Sequence, residues 1–154
     1  AAHLALRGEL PPPGDEDAAD DPVLADYKKI FEAAFAQGQA AEMPFQHLIV
    51  HSDAEGYYVP VEFDAVIILD ASQEIAGNII GSSHALLREC GELARALGLP
   101  EGLSAEDEAL WEAAENQGEG EAQWERYGVE SLTCVQLTRA CEASVETGAA
   151  VVFA

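Results

Sequence analysis

Within 154 residues, 29 Asp and Glu face only seven Lys and Arg, so 22 carboxylates have no lysine or arginine to pair with. An ionised carboxylate buried without a partner is costly enough that nearly all of these groups must reach water. Whatever fold the chain adopts, each element must therefore turn its apolar residues to one face and its acids to the other. The apolar share, 49%, suffices for a single core at this length. The same charge excludes two function classes. A phosphate backbone needs a basic patch on its partner, and an anionic membrane surface repels a chain with a formal charge of −22. No apolar stretch approaches the ~20 residues of a membrane-spanning helix.

Residues 9–21, with Pro11, Pro12 and Pro13 ahead of Asp15, Glu16, Asp17, Asp20 and Asp21, suggest an extended proline run followed by an acidic connection. The expected organisation is a flexible acidic, proline-rich segment over 1–21 and one globular domain over 22–154. The opening Ala1–Arg7 lacks the basic region and long hydrophobic run of a signal peptide, which points to the cytoplasm. The cysteines agree. Cys134 and Cys141 lie seven apart on one expected helix, about 10.5 Å of axial rise, too far to bridge. Cys90 can link to either of them only if their helices touch, and the expected state of Cys90, Cys134 and Cys141 is that of reduced, buried small hydrophobes.

Local signals divide the domain into an α+β arrangement of four helices and a small, mainly antiparallel sheet. Asp21 can cap a helix that has Pro22 in its first position, with Val23, Leu24, Tyr27, Ile30, Phe31, Ala34 and Phe35 at helical spacing and Gly38 as the stop. Branched and aromatic residues flank the polar turn 52–56, predicting a hairpin over about 45–63 in which Ile49 opposes Val59. Pro60 cannot donate to a ladder, so its strand should lie at an edge or end in a bulge. Short strands are expected at 66–69 and 149–153. Ser82 or Ser83 caps a helix bearing Leu86, Cys90, Leu93 and Leu97, closed by Gly98 and Pro100. Another helix is expected from Ser104, with Leu110 and Trp111 on it, and the last from Ser131 to Gly148.

Three sets of residues carry candidate chemistry. His51, Asp53 and Glu55 have the imidazole and carboxylate groups of a divalent-metal site, brought together by a turn. His47 cannot join them on a strand, because four residues span about 13 Å. Gly81, Ser82 and Ser83 precede a helix whose free amides could hold an anion, though the P-loop lysine is missing. The simpler reading of these serines is a helix cap. Finally, residues 101–125 hold nine acids and no lysine or arginine. Glu108, Glu112, Glu115 and Glu119 follow helical spacing, and like charges at that spacing cost helix stability. An acidic interface would account for that cost, with Trp111 and Trp124 as aromatic anchors.

These observations favour a soluble acidic protein-interaction domain that needs no cofactor and engages a basic protein, as an inhibitor or immunity-like partner would. Steering by the 101–125 charges and burial of an anchor would form the complex. The alternative is a small metal-assisted hydrolase built on His51, Asp53 and Glu55. A homo-oligomer through the hairpin edge or the Tyr27–Phe31–Phe35 helix face is a third arrangement.

Overall fold

The computed structural model describes residues 1–13, 20–50, 56–70, 72 and 76–153. Its elements are α1 (Ala2–Arg7), α2 (Pro22–Ala36), α3 (Gln46–Ile49), β1 (Gly56–Val59), β2 (Ile67–Ile68), β3 (Ile79–Ser82), α4 (Ser83–Leu97), α5 (Glu108–Glu115), α6 (Gln123–Arg126), α7 (Gly128–Thr147) and β4 (Val151–Phe153). Short 3-10 turns cover Ala40–Glu42 and Ala76–Asn78. The class is α+β, but the expected four helices and mainly antiparallel sheet require correction. Seven α-helices are present among the described residues, and the four-stranded sheet is mixed, in the order β2-β3-β1-β4. β1 runs parallel to β3, whereas β4 and β2 are antiparallel to their neighbours.

The helices with strong local signals form where those signals lie. Asp21 accepts the Val23 amide at 2.8 Å, and Pro22 occupies the first helical position of α2. Ser82 caps α4 by accepting from the Ala85 amide, and Gly98 (φ 70°) ends it in the left-handed region. The three helices beyond the expected four are α1, α3 and α6, of six, four and four residues. Helices this short are not stable alone, and tertiary contacts hold them. Ala2 of α1 is buried against α2.

The hairpin over 45–63 is where local pattern and tertiary structure part. Residues 46–49 are helical rather than extended, and β1 takes its partners from 79–82 and 151–153. The reason lies in two polar side chains facing the interior. Gln46 donates to the carbonyls of Ala40 (2.8 Å) and Met43 (3.2 Å) and accepts from the Val66 amide at 3.0 Å. Glu89 of α4 accepts the amides of His47 (3.2 Å) and Leu48 (2.8 Å), capping α3 from a distant part of the chain. The Tyr58 hydroxyl donates to the His47 carbonyl. These bonds satisfy a helical turn at a place where alternation favours a strand. β1 then ends at Val59, directly before Pro60, so a central strand avoids the missing donor.

The main core lies between the sheet, α4 and α7, around Tyr58, Leu86, Cys90, Leu97, Cys134 and Cys141. All three cysteines are free and buried. A second cluster, with Tyr27, Phe31 and Val66, joins α2 to the region around β2. The Ser83 and Ser144 hydroxyls meet at 2.8 Å and tie α4 to α7. Tyr127 donates its hydroxyl to the Pro11 carbonyl and so anchors the chain ahead of α2. No described helix is long and apolar enough to cross a membrane.

Candidate interaction surface

α5 forms the centre of the acidic surface. Leu110 is fully buried and Ala113 nearly so, against α7. Glu108, Glu112 and Glu115 lie on exposed positions of the same helix. At ~1.5 Å rise per residue, their backbones are separated by about 6 and 4.5 Å along the axis. The helix starts at Glu108, later than expected from Ser104, because residues 104–107 form a turn of their own. In it Ser104 donates its amide to the Asp107 carboxylate at 2.7 Å, and Asp107 donates its own to the Ser104 carbonyl at 3.0 Å. Trp111 closes over this turn, its indole donating to the Ala105 carbonyl at 2.8 Å while 46% of the residue stays exposed.

The helix ends at Glu115, so Glu119 is not its next turn. Asn116 stops it by donating its side-chain amide to the Glu112 carbonyl at 2.8 Å. A reversal through Gly118 (φ 87°) and Gly120 (φ 106°) then carries the chain back. The result places Glu119 and Glu121 with Glu112 and Glu125 around one cleft of about 470 Å³. Helical spacing does not single out Glu121; the signal for it in the sequence is the pair of glycines flanking Glu119. Glu125 has a different task. Its carboxylate accepts the amides of Glu121 and Ala122, both at 2.8 Å, and so shapes the turn into α6. Trp124 is half-buried on α6, and its carbonyl accepts the Ser131 hydroxyl at 2.8 Å. That bond accounts for Ser131 lying inside α7, which begins three residues earlier at Gly128. Thus Glu112 and Glu119 share a cleft, whereas Glu108, Glu115, Trp111 and Trp124 do not line it.

Gly128 sets how closely the acidic helix approaches the body. A Cβ there would lie 1.9 Å from the Ala113 carbonyl oxygen and 2.5 Å from the Ala114 nitrogen, so only glycine permits this crossing. Cations near the surface are few. Arg139 of α7 pairs with Glu106, and Arg88 reaches Glu62 (3.2 Å) and Asp64 (3.6 Å) elsewhere.

The other candidate residues fall in different surroundings. His51, Asp53 and Glu55 lie outside the described residues, among which no group of three or more His, Cys, Asp or Glu could hold a metal ion. Gly81, Ser82 and Ser83 are buried. The Tyr58 ring covers Gly81, leaving no space for a Cβ. Ser82 donates to the Val61 carbonyl at 2.7 Å in addition to capping α4, and Ser83 bonds Ser144. His47 is buried with Nδ1 3.3 Å from Glu89, while its Nε2 has no hydrogen-bond partner among the described residues. Burial pushes the Cys141 thiol up to about 12, which keeps it protonated and inert near neutrality.

Comparison with curated proteins and with solved structures gives no match. A protein family described as "Putative DNA-mimic protein" matches residues 1–153, nearly the whole chain. An exposed acidic helix, a cleft ringed by four glutamates and a match of that extent agree, and the chain belongs to this family.

Proposed function

We propose that this protein binds a basic, DNA-binding protein at the surface that protein uses for DNA, and so inhibits it. The observation that carries the reading is the α5 surface, where Glu108, Glu112 and Glu115 are exposed on one short helix and Glu119 and Glu121 follow. One DNA strand presents a charge about every 3.4 Å of axis. The α5 carboxylates are sparser, at about 5 Å on average from the helical rise, and the flanking turns add Glu106, Asp107, Glu119 and Glu121. A surface of this kind offers fixed negative charge to the basic groups that would otherwise meet phosphates. It steers a basic partner and holds it by charge complementarity. The three free, buried thiols suit a reducing compartment such as the cytoplasm.

The test is capture of a basic partner from the source organism, followed by competition. A partner displaced by duplex DNA, and lost when Glu108, Glu112, Glu115 and Glu119 are all changed to Gln, supports the proposal. A stable partner that DNA does not displace, or one retained by the fourfold variant, would overturn it.

A further inference from the structure

A groove of about 490 Å³ runs beside the acidic helix, between α7 and the connection from α4 to α5. Its apolar lining comes from Ala94, Leu99, Leu103 and Val135, each half-buried, with Pro100 exposed at one end. Its charged residues are Glu106, Arg139 and Glu142, and Arg139 is held by Glu106. Segment 101–112, which supplies Leu103, Ser104, Ala105 and Glu106 to the lining, also carries Glu101, Asp107, Glu108 and Glu112 and no cation.

We propose that this groove seats one apolar side chain of the basic partner, with that partner's flanking lysines or arginines meeting Glu142 and the neighbouring carboxylates. The inference rests on the reading of the protein as an acidic domain that engages a basic protein, and it names how one partner is chosen. Charge complementarity commits the groove to this occupant. An anionic ligand would meet carboxylates on its rim, whereas an apolar residue between cations satisfies floor and rim together. The groove is also continuous with the acidic surface, since Ser104, Ala105 and Glu106 line it and lead directly into α5. Carboxylates alone would attract any protein with a basic cleft. A phosphate backbone has no apolar counterpart to this groove, so burial of one side chain there separates a cognate partner from the rest. Charge would then govern association, and the buried side chain would govern dissociation.

Two short amidated peptides test this, one with a single leucine between arginines and one with an alanine in its place. Affinity is measured by calorimetry at low and high salt, and the site is located from amide chemical shifts. Partial burial of the leucine methylenes should make the first peptide bind about tenfold more tightly than its twin. The added shifts should fall on Leu103, Ala105, Val135 and Thr138. Val135→Phe and Ala105→Trp fill the groove from opposite walls, and each should abolish the leucine advantage while keeping binding of the alanine peptide. Equal affinity of the two peptides, or an advantage that survives in both folded variants, overturns the groove and leaves the acidic reading standing. If neither peptide binds at low salt, the acidic reading itself fails and the groove proposal falls with it.

Discussion

Replacing Gly128 by Ala tests how the acidic helix is mounted. In isolation the change should help, because Gly128 begins α7, has no positive φ, and alanine is favoured over glycine by up to about 1 kcal/mol in a helix interior. The crossing with α5 reverses the sign. The new methyl would sit 1.9 Å from the Ala113 oxygen and 2.1 Å from its carbonyl carbon, both backbone atoms that no rotamer change can move. To restore ordinary contact of about 3.4 Å, α5 must back away by roughly 1.5 Å, loosening Leu110 and Ala113 against α7. Overpacking of this kind costs about 1–3 kcal/mol. For a chain of this size, that lowers the melting temperature by roughly 2–4 °C per kcal/mol. Urea unfolding followed by circular dichroism should show a lower midpoint with an unchanged slope. An unchanged or higher midpoint would refute the argument, because it would mean that α5 does not rest on this glycine. The displaced helix should also weaken capture of a basic partner, even though no carboxylate has been removed.

Three further outcomes follow from the same geometry. Glu89→Ala removes the acceptor for the His47 and Leu48 amides, and should cost about 1–3 kcal/mol in urea unfolding; a neutral result would mean that water serves α3 equally well. The Cys141 thiol stays protonated in the fold up to about 12 but ionises near 9 once unfolded, so unfolded chains lose that proton first and stability falls as pH rises from about 9 towards 12. Cys141→Ala should flatten this fall in pH-dependent unfolding midpoints, and an unchanged slope would count against it. Glu112→Gln relieves repulsion with Glu108 and Glu115 and should stabilise the fold by about 0.4–1 kcal/mol while weakening partner binding; lower stability in thermal unfolding would contradict the repulsion argument.

Signals that act within one helical turn were legible in the sequence. The Asp21 cap with Pro22, a serine cap at 82 or 83, which the fold assigns to Ser82, and the glycine stops at 98 and 148 all stand where composition and spacing put them. So do the short strands within 66–69 and 149–153, and the exposure of Glu108, Glu112 and Glu115, since carboxylates without a partner are costly to bury. Tertiary structure decided what depends on distant partners. Alternating apolar residues over 45–63 favour a strand, but Gln46 and His47 bond groups from other elements, such as Val66 and Glu89, and those bonds make residues 46–49 helical. The pairing of β1 with β3 and β4 joins segments more than 20 and 90 residues apart. No local pattern reports such separations. The acidic site divides in the same way. Its charges were visible as a run, whereas the cleft around Glu112, Glu119, Glu121 and Glu125 exists because α5 stops at Glu115 and the glycines turn the chain back. Local propensity sets which residues can cap, turn or face water; the close approach at Gly128 and the buried polar bonds between distant elements set where those residues meet.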